Sequence, residues 1–426
     1  MISTGFLTRI LTMRRGIVSL AVGILLVAPL GAWLGEETPP PSPWLGAQVG
    51  EIGEMQGGPL AYDPATNELW VGTSVMYPAV DLNVSVVNLT TGRVVAQIPY
   101  DPPPREMNEY AATVGIVFDP SNGNSYVGAD DGNVTVINVS SHTVVKTVVT
   151  GCCATSIAYD AENREIFIIG AWGDQQGSEG NTTIISTISN AIVGRVPVGG
   201  VGIAADPLNG VLAVTQGSNL SFMNPTTYEL TARTPLPHIG GGFSDPFVYD
   251  PFTNAWYGPT GGTSGPTLTM INATSHMVEK TVAIPYPASN IVGGLALDPA
   301  NGFVYITCQG QNGGELESVN ALTDTFVGTV DLPPMQLPGS IVYDGTDLDL
   351  YVSGPFAEAV TVFSPSAPQP GPTFPNLDSP NTGWAEFGIL LGATFVLVGI
   401  RRYRQDRKVN HMNRRKESAV VEDKEQ

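Results

Sequence analysis

Gly115-Ile116-Val117-Phe118-Asp119-Pro120, Tyr126-Val127-Gly128-Ala129, Asn133-Val134-Thr135-Val136-Ile137-Asn138 and Thr143-Val144-Val145-Lys146-Thr147-Val148 follow one another in close succession, and their reading decides the fold. Each segment is too short for a helix and is rich in β-branched residues. Between them stand Asp, Asn, Gly, Pro and Ser, which set tight turns. The stretch therefore predicts four antiparallel strands in a meander.

The pattern recurs along the chain. Short apolar segments ending in Asp occur seven times, at Asp63, Asp119, Asp160, Asp206, Asp250, Asp298 and Asp344, spaced 56, 41, 46, 44, 48 and 46 residues apart. Five of the seven aspartates precede Pro. Six or seven residues further on comes a large residue: Trp70, Tyr126, Phe167, Leu212, Trp256, Tyr305 and Tyr351. Its recurrence marks a core column rather than a ligand cage. Units of this length, each one four-stranded sheet, bury both faces only by packing in a ring. The fold class is thus all-β, a single seven-bladed β-propeller over residues 45–364. The seventh unit ends at Ala359–Phe363 without a fourth strand, and Leu45–Ile52 reads as an orphan. That N-terminal strand is expected to complete blade seven.

Tyr126-Val127-Gly128-Ala129 with Val134–Asn138 and Thr143–Val148 resembles the YVTN-type β-propeller repeat. Trp70-Val71-Gly72-Thr73 and Tyr305-Ile306-Thr307 are further copies; blade four departs, with Leu212-Ala213-Val214-Thr215. The resemblance implies an exported or cell-surface protein and leaves the ligand open.

The ends agree with export. Arg9, Arg14 and Arg15 precede an apolar run, Gly16 to Leu34, so residues 1–35 read as a signal peptide or a retained signal anchor. Residues 384–400 read as a transmembrane helix, followed by a basic cytoplasmic tail, 401–426. Both flanks place the middle outside the plasma membrane. Gly388 and Gly392 have the spacing of a helix-pairing motif and suggest a dimer. Residues 365–383, rich in Pro, read as a semi-rigid stalk.

Between Glu36 and Gly383 there are 33 acidic and 7 basic residues, a net of −26, which argues against nucleic-acid binding. The three cysteines, Cys152, Cys153 and Cys308, match no zinc spacing; a Cys152–Cys153 bridge and unreactive thiols both remain open. Two of the four histidines, His142 and His276, fall in equivalent turns and read as scaffold; His238 lies in a Pro/Gly-rich connection and His411 in the tail. No catalytic or cofactor set can be assembled; the closely spaced Asp344, Asp347 and Asp349 are oxygen donors of the kind that hold calcium, but Asp344 is the repeat's turn residue and Asp349 opens a strand, so no metal is expected. Seven sequons, at Asn83, Asn88, Asn133, Asn138, Asn181, Asn219 and Asn272, are candidate N-glycosylation sites; Asn224 and Asn320 fill the same turn without a sequon, so turn preference explains the Asn equally well.

Topology separates two faces. The Asp turns and the third-to-fourth-strand turns are uniform. The opposite face carries connections of varied length, at 72–82, 100–112, 170–180, 258–266 and 309–314. That face, with Met76, Tyr77, Trp172, Asp174 and Phe356, is the candidate contact surface. The leading expectation is a non-enzymatic surface binding or scaffold module for an extracellular protein or glycan. The alternative is an extracellular lyase or hydrolase using carboxylates at the central channel, with a purely structural envelope role as a third reading.

Overall fold

The computed structural model describes residues 47–364 apart from 54, 56, 76–81, 101–110, 152–153, 171–179, 237–246, 263–264, 285–291, 300–301, 310–312, 334–338 and 355–358. The proposed signal, stalk, membrane helix and tail lie outside these residues, as do Cys152, Cys153, His238, His411, Gly388 and Gly392. No helix among the described residues is long and apolar enough to cross a membrane.

The strands form seven antiparallel sheets, each opening on an inner strand that ends in a repeat aspartate: Leu60–Asp63, Ala111–Asp119, Ala154–Asp160, Gly202–Asp206, Val248–Asp250, Val292–Asp298 and Ile341–Asp344. In blades one to six, three further strands follow in chain order. In blade seven the fourth place is taken by Ala47–Gly53, which pairs antiparallel with Ala359–Ser364 from Ala47 opposite Ser364 to Gly53 opposite Ala359. Closure is also made side to side: Leu60 N donates to Ser340 Oγ at 3.0 Å, Tyr62 shares a 2.8 Å hydrogen bond with Thr346, and Ser353 Oγ donates to Gly58 O. Leu60, Leu69 and Val71 of blade one pack with Tyr351, Val360 and Val362 of blade seven. The ring is closed.

Two backbone devices repeat through it. The fourth residue after each repeat aspartate has positive φ: Asn67, Gly123, Arg164, Gly210, Asn254, Gly302 and Leu348. The outer hairpins repeat this at Gly92, His142, Asn190, Tyr228, His276 and Asp324. Every outer strand also carries one extra residue against its neighbour, at Val95, Val145, Val193, Thr231, Glu279, Val327 and Val49. Such a bulge increases strand twist. Val49 belongs to the N-terminal strand, so this strand has the geometry of a fourth strand displaced to the front of the chain.

Register corrects the aromatic column. Trp70 is opposite Ala61, two residues before the repeat aspartate, and Tyr126, Phe167, Tyr305 and Tyr351 hold the same place. In blade five that place belongs to Tyr257, opposite Val248, and in blade four to Ala213, opposite Ala204. Trp256 and Leu212 sit one residue earlier and therefore point to the other side of their sheets. The small Ala213 is offset by Trp256, which fills the same interface from blade five beside Phe222.

Two connections also differ from expectation. Residues 258–266 are largely strand, a hairpin formed by Ala255–Gly262 and Gly265–Asn272. Ser74–Val75 forms an added strand on Ala111–Ala112, so the second sheet has five strands.

Candidate functional site

On the turn-bearing face the repeat aspartates and asparagines bond into their own turns. Asp63, Asp119, Asp160, Asp206, Asp250 and Asp344 each accept a hydrogen bond from the backbone amide two residues on, at 2.7–3.1 Å. Burial opposes ionisation of Asp119, but hydrogen bonds from Ser121, Thr187 and Tyr159 outweigh it and hold its carboxyl below the usual range. In the outer hairpins, Asn138, Asn224, Asn272 and Asn320 accept from the amide three residues on at 2.8–3.0 Å, and Asn88 accepts from Thr91 N at 3.0 Å. Three sequon asparagines thus serve the turn through Oδ1. Of the other four, Asn133 is buried, Asn83 and Asn219 are half-buried, and Asn181 is exposed.

In blades two to five the positive-φ residue of the outer hairpin reaches back to the blade before. His142 Nε2 lies 3.1 Å from Glu68 Oε2, Tyr228 OH donates to Glu165 at 3.0 Å, and Tyr126 OH donates to Asn190 Oδ1 at 2.6 Å. His276 stacks on Phe222, with ring centroids 4.0 Å apart, and its burial lowers its pKa. Both turn histidines are therefore engaged in blade packing.

At the opposite face the inner strands carry no carboxylate; their only acids are the turn aspartates at the far end. Instead the roots of the connections are tied by hydroxyls. Thr155 Oγ1 donates to Gly200 O at 2.9 Å, Thr307 Oγ1 to Gly339 O at 2.9 Å, and Ile203 N to Ser156 Oγ at 3.3 Å, each bond crossing between blades. Gly58 and Gly180 stand where a Cβ would lie 2.1 and 2.0 Å from the carbonyl oxygens of Gly72 and Gly170. These contacts make a fixed floor from which the connections leave. Met76, Tyr77, Trp172, Asp174 and Phe356 lie on those connections, outside the described residues.

Sequence reading missed one acid. Ser85, Thr135, Thr183, Ser221, Thr269 and Thr361 occupy the same buried third-strand position, and blade six places Glu317 there. One carboxyl oxygen accepts from Thr329 at 2.7 Å and the other is unpartnered; burial pushes its pKa up to about 7, with Glu315 adding to the shift. Glu317 shares its sheet face with Cys308, whose buried thiol is pushed up by desolvation. The signal was available: a lone acid in a Ser/Thr row. Among the described residues no group of three His, Cys, Asp or Glu is placed to hold a metal ion.

Comparison with known proteins returns the architecture. The chain is similar to a solved structure of Kuenenia stuttgartiensis hydrazine synthase, with 15% identity and a TM-score of 0.57, covering 75% of this chain and 99% of that one. It is also similar to a chain of the mitotic checkpoint complex, with 13% identity and a TM-score of 0.56, covering 78% and 94%. The likeness is one of fold. No family model matches the sequence, and no curated protein does.

Proposed function

We propose that this chain is a membrane-anchored, cell-surface β-propeller that binds an extracellular protein or glycan through its connection-bearing face. The observation that carries the reading is the contrast between the two faces. One is a ring of near-identical turns whose side chains bond to themselves and to the next blade. The other is a fixed hydroxyl-tied floor bearing connections of unequal length, the usual setting for recognition residues on a rigid scaffold. The resemblance to YVTN-type repeats supports an exported protein, and the basic flanks of both apolar terminal runs support an outward-facing propeller at the plasma membrane with a cytoplasmic tail. In this arrangement Trp172, Tyr77 and Phe356 supply apolar contact, and Asp174 supplies a charged one. Glycan attachment, if the host provides it, falls first on the exposed Asn181.

The test is binding of the labelled protein to intact source cells and to a glycan array. Replacing Trp172 and Tyr77 by Ala is expected to weaken binding about tenfold or more at an unchanged melting temperature. Binding that survives these changes, or turnover of a surface polysaccharide by the purified protein, contradicts the proposal.

A further inference from the structure

The residue just before each repeat aspartate points toward the preceding blade. It is Tyr62, Phe118, Tyr159, Tyr249, Leu297 and Tyr343 in six blades, and Ala205 in blade four. In three of these blades the residue is a Tyr whose hydroxyl reaches the preceding blade's turn: Tyr159 OH donates to Asp119 Oδ1 at 2.8 Å, Tyr62 meets Thr346 at 2.8 Å, and Tyr249 accepts from Asn209 Nδ2 at 3.3 Å. In blade four the ring is missing. A cavity of about 320 Å³ stands in its place, lined by residues that include Asp160, Ala161, Ala205, Pro207, Leu212 and Pro225. Tyr228 covers Phe167 from the outer hairpin, 6.1 Å between centroids, yet does not line this space.

We propose that the slot between blades three and four binds a small phenol, whose ring takes the place of the absent side chain and whose hydroxyl donates to Asp160. The donor–acceptor pair is the one the neighbouring interface makes within the chain. Asp119 Oδ1 accepts from Ser121 N, Ser121 Oγ and Tyr159 OH, whereas among the described residues Asp160 accepts from Glu162 N on Oδ1, at 3.0 Å, and from Asn163 Nδ2 on Oδ2, at 2.6 Å, one donor per oxygen, which leaves lone-pair capacity for another. Half-buried Ala205 and exposed Ala161 and Pro207 open the slot to solvent. Its volume falls in the range of small-molecule sites, and a recess between two turns suits a small molecule better than a flat protein surface. The site lies on the face opposite the proposed contact surface and is independent of it.

The experiment is ligand-observed NMR with p-cresol and toluene on the full chain in nanodiscs, with empty nanodiscs as blank. The native chain is expected to bind p-cresol, and about tenfold more weakly toluene, which cannot donate to a carboxylate. Ala205→Tyr, which restores the ring, is expected to raise the melting temperature and abolish p-cresol binding. Should that variant misfold, Ala205→Leu, the residue type blade six uses, serves the same purpose and is expected to weaken binding at least tenfold. Equal binding of p-cresol and toluene overturns the phenol assignment. Binding absent from the native chain, or unchanged in the folded variants, overturns the site.

Discussion

At the scale of single residues, blades four and six hold the exceptions, and each yields a prediction. Glu317 occupies a slot that six blades give to Ser or Thr, and its carboxyl is pushed up to about 7 by burial. A raised carboxyl pKa means the folded state holds the proton more tightly than the unfolded one. Its contribution to stability is complete below the ordinary value near 4.5 and is lost as pH rises through about 7. Glu317→Thr should therefore leave the urea midpoint little changed at pH 4 and raise stability at pH 8 by about 2–3 kcal/mol. The Ala213–Trp256 pair makes a second test. Trp256→Leu should cost about 2–4 kcal/mol by opening a cavity, and adding Ala213→Tyr should recover part of it, a coupling that a double-mutant cycle in denaturant measures.

At the scale of elements, the unit is a hairpin with a capping Asp or Asn and a left-handed residue four positions on. Gly or Asn takes that position without strain, and Leu348, at φ 62°, does not. Leu348→Asn, matching Asn67 and Asn254, is expected to raise the melting temperature, worth about 1 kcal/mol. Much of this was legible in sequence: Asp before Pro, Asn closing the third strand, and the β-branched runs all announce local geometry. The column of large residues was legible only to within one position. Spacing of six or seven from the aspartate cannot say which side of a sheet a residue faces, because a shift of one reverses it. Strand pairing at Tyr257 opposite Val248 decides what spacing left open. The added strand Ser74–Val75 had no sequence signal, since two residues carry no periodicity. The slot at Ala205 needed the knowledge that the residue before each aspartate crosses to the preceding turn, which only packing reveals.

At the scale of the whole molecule, the seven sheets cannot each bury two faces unless the ring closes, and closure depends on Ala47–Gly53 joining Ala359–Ser364. The assignment of faces follows from it: turns on one side, connections on the other. Removing residues 45–53 is expected to expose the edge of Ala359–Ser364 and abolish a single cooperative thermal transition. Closure is tested most directly by disulfide trapping across the seam, because Glu51 lies opposite Thr361 and paired strand positions fall within disulfide reach. The double variant Glu51→Cys/Thr361→Cys is expected to cross-link on oxidation and raise the melting temperature, while Glu51→Cys/Asp331→Cys, which targets the outer strand of blade six, does not cross-link. A link to position 331, or none to position 361 in a folded chain, contradicts the closed seven-bladed ring.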